Sequence, residues 1–253
     1  MTGMQIIVDE LLTQYELAGK GRLVVLLHGW GDDSRTFSGL QKELAVQYKV
    51  LSLDLPGFGA TQAPKDVWDL DNYAGFVKHV LDKLNLGQLY AIVGHSNGGA
   101  IAIRGVSLGV LEPQKLVLLA AAGIRSPGGG QRLALRIIAK TGNAATIWLP
   151  ERYRQALRKS LYGAAGSDML AVPQLQETFK KSVRQDVQAD AAKITLPTLL
   201  VYAANDRALP LSDGERYHAL IKGSRLEVIA NAGHFVHHDQ PAKIRQLIEE
   251  FLR

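Results

Sequence analysis

The chain has 253 residues, 47% hydrophobic and 21% charged, with a formal net charge of +5 and a mean hydropathy of zero. That composition suits a globular chain with material for a large core and excludes fibrous, low-complexity and repeat polymers. No cysteine is present, which removes disulfide frameworks, thiolate nucleophiles and thiolate metal sites.

Residues 5–8 and 12–17 read as two leading strands, a candidate antiparallel edge hairpin. Unbroken aliphatic and β-branched runs follow at 23–27 and 50–53. Tyr73, Phe76, Val77, Val80, Leu81 and Leu84 then form one helical stripe. Strand-like runs recur at 89–93 and 116–120, with a helix-like stretch at 100–108 between them. Two further runs, 198–202 and 226–229, precede a last stripe of Ile244, Leu247, Ile248, Phe251 and Leu252, with Pro241 at its first turn. Apolar runs without polar alternation are strands buried on both faces, as in a parallel sheet covered by helices. Strand and helix alternate, so an α/β fold with right-handed crossovers is expected.

The alternation stops at residues 126–190, where Pro127 and Gly128-Gly129-Gly130 open a stretch of helix-like pieces. Residues 1–125 and 191–253 are therefore expected to form the core, and 126–190 a helical insertion that caps it. Between Arg125 and Lys193 stand 12 Lys/Arg against 5 Asp/Glu, so this region carries the whole basic excess. Arg132, Arg136 and Lys140 lie four apart, on one helix face, and Leu133, Ile137, Trp148 and Leu161 are candidates for a pocket-facing side. Such a charge is either a solvated face or a field that steers anionic substrates. No recognition motif accompanies it, so no nucleic-acid partner is expected. The longest apolar stretches are far short of the ~20 residues that span a bilayer, and no signal-peptide pattern opens the chain, so a cytoplasmic protein is expected.

Gly94-His95-Ser96-Asn97-Gly98 lies directly between an apolar strand and a helix. This is G-x-S-x-G in the strand–turn–helix context that gives the motif its meaning. So sharp a reversal forces the serine into a strained backbone conformation, and glycines remove the clashes around it. The serine oxygen is left at a helix N-terminus, whose dipole favours developing negative charge. A serine hydroxyl needs a general base oriented by a third group. Of the seven histidines, His234 stands in the loop between the last strand and the last helix, where parallel sheets place their active crevice. His237 and His238 fall nearer the last helix and are expected to be solvated or capping, and His28 to order a glycine turn. His79, His95 and His218 have no partner identifiable from sequence. A metal site at His234, His237 and His238 is not expected, because the glutamate of the zinc-protease motif and a clear third ligand are missing. Asp206, just beyond the run 198–202, is the candidate orienting acid; the rival position reads Ala121-Ala122-Gly123-Ile124 and offers none. The backbone amides of Trp30, in His28-Gly29-Trp30-Gly31, and of Asn97 are the candidate oxyanion donors.

Together with Asp54-Leu55-Pro56-Gly57-Phe58-Gly59, these segments resemble the α/β-hydrolase superfamily, in its order and over essentially the whole chain. The resemblance implies an eight-stranded, mostly parallel sheet with a helical cap, and a structural role for Asp54. Haloalkane dehalogenases and epoxide hydrolases of this fold carry an aspartate where Ser96 stands. Prolyl aminopeptidase-like members carry a tryptophan at the position of Asn97. Carbon–carbon bond hydrolases generally show a tryptophan soon after the histidine, where this chain has Phe235, which lowers that reading. The resemblance is to the carboxylesterase-like branch: a Ser96–His234–Asp206 triad acting on a small ester-like substrate through an acyl-enzyme, with no cofactor or metal. The alternatives are carbon–carbon or thioester cleavage at the same triad, or a ligand-binding member without turnover.

Overall fold

A computed structural model describes residues 3–125 and 172–253. Within them lies an eight-stranded sheet: β1 (Met4–Val8), β2 (Leu11–Ala18), β3 (Leu23–Leu27), β4 (Lys49–Leu53), β5 (Leu89–His95), β6 (Lys115–Leu119), β7 (Thr198–Ala203) and β8 (Arg225–Ile229). Its order is β1-β2-β4-β3-β5-β6-β7-β8. Strands β3 to β8 run parallel, while β1 and β2 form an antiparallel hairpin whose second strand pairs antiparallel with β4. The hairpin turns on Asp9 and Glu10, both at positive φ (47° and 63°), which matches the twist of the flanking strands. Every strand expected from sequence is present, with shifts of one or two residues at some ends.

The central strands are apolar throughout because they are covered twice. In β3, Leu23, Val25 and Leu27 face one core and Val24 and Leu26 the other. The first core is closed by α2 (Leu70–Leu84), through Tyr73, Phe76, Val77 and Val80, and by α3 (Asn97–Ser107), through Ile101. The second is closed by Leu44 of α1 (Ser38–Leu44) and by Ile244, Leu247 and Ile248 of the C-terminal helix Pro241–Leu252. At the open edge, β8 carries outward Arg225 and Glu227, paired at 2.6 Å, a charged strand that discourages further pairing.

The connection from β3 goes one way to β4, and β5 then pairs on β3's other side. Ligands bind at such reversals, outside the carboxyl ends of the strands. Of the expected insertion, residues 126–171, with Arg132, Arg136, Lys140, Leu133, Ile137, Trp148 and Leu161, lie outside the described residues. Residues 172–190 hold α4 (Gln176–Arg184) and most of α5 (Gln188–Ala191). These helices are tied down by polar contacts. Arg104 of α3 makes a two-pronged bond to Asp71 (2.7 and 3.1 Å) and reaches both oxygens of Asp190 at 3.0 Å. The Thr178 hydroxyl and the Gln185 side-chain carbonyl accept the amides of Trp68 and Leu70 at 3.1 and 2.7 Å. Among the described residues no helix is long and apolar enough to cross a membrane.

Candidate active site

Strand β5 ends at His95 and α3 begins at Asn97, leaving Ser96 alone at the corner with φ 51° and ψ −117°. A non-glycine residue at positive φ costs of order 1–3 kcal/mol and persists only where its surroundings hold it. Here Ser96 N–H donates to Leu119 O at 3.0 Å, and Ser96 O accepts Ala122 N–H at 2.9 Å. The glycines are required by close backbone approach: a Cβ at Gly98 would stand 2.2 Å from Leu27 O, and one at Gly94 2.7 Å from Gly98 O. A Cβ at Gly99 would meet that of Ala121 at 2.6 Å, so this glycine lets α3 lie on the sheet.

Asp206 follows β7 and His234 follows β8, the neighbouring strand, and the two meet at 2.8 Å between Oδ2 and Nδ1. The other carboxylate oxygen, Oδ1, accepts the amides of Ala208 and Leu209 at 2.7 and 2.9 Å, which fixes its direction. A carboxylate accepting from Nδ1 places the ring proton there and leaves the Nε2 lone pair available. No hydrogen bond joins Ser96 Oγ to His234 among the described residues; what links their segments is His95, whose Nε2 donates to His234 O at 3.1 Å.

Trp30 and Asn97 are both buried, and neither backbone amide donates to another described residue. The Trp30 ring packs edge-on against Phe58 and against Phe179 of α4, with centroids 4.9 and 5.0 Å away.

The other histidines fall into place individually. His28, fully buried, accepts Leu55 N–H at Nε2 (2.9 Å) and donates from Nδ1 to Gly29 O (2.7 Å), so it ties the two adjoining loops and stays neutral. Burial holds its pKa below the ordinary imidazole value, with the Gly29 bond opposing this only in part. Asp54 accepts the amides of Ser34 and Ala60, the loop-ordering role expected of it. His237 departs from expectation: it is neither solvated nor a cap but buried, with Nε2 3.0 Å from Thr36 Oγ1. Burial, then His238 and His234, brings its pKa down to about 3. His238 donates to Thr36 O at 2.9 Å. His79 meets Asp9, 70 residues away in the chain, and His218 meets Ser224, 6 residues further on. Among the described residues no group of three His, Asp or Glu is arranged to hold a metal ion. A groove of about 500 Å³ lined by Thr36, His237, His238 and Arg245 lies behind the His234 loop and does not include Ser96.

Sequence reasoning missed Asp213, in the first turn of α6 (Leu211–Leu220). Its burial, reinforced by Asp206, pushes its pKa up from the ordinary 3.8 to about 6. A carboxyl raised in the folded state binds its proton more tightly there than in the unfolded chain. Folding stability is therefore expected to fall as pH rises from about 4 to about 6, with the full penalty above that window. Asp213→Asn should raise the melting temperature at pH 8, corresponding to about 1–2 kcal/mol, and leave it unchanged at pH 4. Thermal denaturation at the two pH values checks the sign.

An open α/β sheet with a strained serine at the β5–α3 corner, and a histidine–aspartate pair after β7 and β8, defines a hydrolase-type scaffold. The chain belongs to the alpha/beta hydrolase family, whose model matches residues 24–247. It is 28% identical to an AB hydrolase superfamily protein of Bacillus subtilis, over 98% of each chain. It is 26% identical to a 2-hydroxy-6-oxo-2,4-heptadienoate hydrolase of Pseudomonas putida, over 99% of this chain and 96% of that one. Among solved structures, an esterase from Exiguobacterium antarcticum superposes with a TM-score of 0.77 at 23% identity, over 99% of each chain.

Proposed function

We propose that this protein is a serine hydrolase that cleaves an ester-type bond in a small molecule, with Ser96 as nucleophile, His234 as base and Asp206 as orienting acid. The observation that carries this reading is the 2.8 Å Asp206–His234 bond, which leaves Nε2 free to accept a proton. The Ser96 hydroxyl passes its proton to Nε2 as its oxygen bonds to the carbonyl carbon. The carbonyl oxygen takes up the negative charge, held by the amides of Trp30 and Asn97. Collapse breaks the bond to the alcohol, which leaves with the proton from His234. Water, deprotonated by the same ring, then releases the acid and restores the serine. None of these steps calls on a metal or organic cofactor. The described part of the expected cap, residues 172–190, is read as its base, supported by the seat of Phe179 on Trp30.

Carbon–carbon bond cleavage at the same residues is the second reading, favoured by the Pseudomonas relative and opposed by Phe235 in place of a tryptophan. A fluorophosphonate probe, with mass spectrometry of the adduct, is expected to label Ser96. A panel of aryl esters of increasing chain length, matching thioesters and a 2-hydroxy-6-oxo-dienoate then separates the bond types. Turnover of the dienoate alone moves the assignment to the second reading, and no labelling at Ser96 removes both.

A further inference from the structure

We propose that His95 is a positioning residue that sets the general base and the oxyanion loop relative to the nucleophile, a role that rests on the triad reading above. His95 precedes Ser96 in the chain and is buried. Its Nε2 lies 3.1 Å from His234 O, an atom that can only accept, so the ring proton is on Nε2. The opposite side abuts the oxyanion loop. A Cβ at Gly29 would stand 3.1 Å from His95 Nδ1 and 3.1 Å from Ser96 Cβ, so a glycine there lets the loop close on both. One ring thus touches the segments of the nucleophile, the base and the Trp30 amide. The ring stays neutral: burial, then His234 and His237, keeps its pKa well below the ordinary imidazole value.

Its own seat is held from behind. Thr36 Oγ1 lies 3.0 Å from His237 Nε2 and 3.1 Å from His238 Nε2, and His238 Nε2 donates to Thr36 O, so both rings are pinned to the Thr36 segment. His237 then packs edge-to-face against His95, with centroids 4.8 Å apart. This line of groups ends on a backbone carbonyl, which cannot relay a proton to the His234 ring. Its effect on the reaction is therefore through position.

Long-range proton–nitrogen NMR of the imidazoles reads the tautomers without any substrate. The expected result at pH 7 is neutral His95 protonated at Nε2. A His95 proton on Nδ1 overturns the proposal. In kinetics, His95→Gln sets an amide donor near the reach of Nε2, whereas His95→Asn stops short of it. With both variants folded by melting temperature, Gln should keep kcat within about threefold, and Asn should lose about ten- to a hundredfold in kcat with KM unchanged. Full activity in His95→Asn, or equal losses in both variants, overturns the proposal. A Ser96→Ala control keeps the failures apart: its loss of activity beside an unaffected His95→Asn rejects only the positioning role. Retained activity in Ser96→Ala rejects the triad reading, and the tautomers alone then decide the hydrogen bond.

Discussion

Ser96→Ala is expected to lower kcat on activated short-chain esters by about a thousandfold or more, because nucleophile and base act as one unit. The residue can be changed without disturbing the corner that holds it. The hydrogen bonds fixing Ser96 run through its own N–H and C=O, to Leu119 and from Ala122, Gly99 and Ala100, and alanine keeps all of them. The strain at φ 51° is likewise a backbone property common to both residues. The melting temperature should therefore hold while turnover and fluorophosphonate labelling vanish. Slow residual hydrolysis from the oxyanion donors alone is compatible with the mechanism. Retention of most of the turnover is not, and would move the nucleophile elsewhere.

Asp206→Asn should be comparably damaging, lowering kcat by about ten thousandfold with the fold intact, because of how the amide must sit. The side-chain oxygen at the Oδ1 position receives two backbone amides, from Ala208 and Leu209. Those donors select the asparagine oxygen, so the asparagine NH2 group must face His234 where Oδ2 now accepts. His234 Nδ1 would then have to accept, its proton would move to Nε2, and no lone pair would remain for the Ser96 hydroxyl. KM should change little, since the carboxylate pairs with the imidazole through a shielded bond. Asp213→Asn is the matched control, being a second buried acid close to the first. If Asp206→Asn stays active and Asp213→Asn does not, the orienting role belongs to Asp213.

Much of this protein is written in short-range pattern. The central strands were legible because a strand covered on both faces has no polar alternation, as in the fully buried runs 23–27 and 198–202. The serine corner was legible because its geometry admits only small residues at Gly94, Gly98 and Gly99, so backbone sterics appear directly as sequence spacing. Asp206 and His234 were singled out by chain order, each just after a strand, and the neighbouring ends of β7 and β8 bring their side chains to 2.8 Å.

What tertiary structure alone decided concerns groups whose environment is supplied from far along the chain. His237 reads as a surface residue by its position, yet it is buried because Thr36, 201 residues away, folds over it. His95 has no local partner; its acceptor is a carbonyl 139 residues later. Asp213 sits in an ordinary helix start and becomes a raised acid only through burial beside Asp206. Hydrophobic period and backbone sterics act over a few residues and so survive in the sequence. Burial, tautomer and proton affinity depend on which distant segments the sheet order β4-β3-β5-β6-β7-β8 brings together, and only the folded chain holds that information.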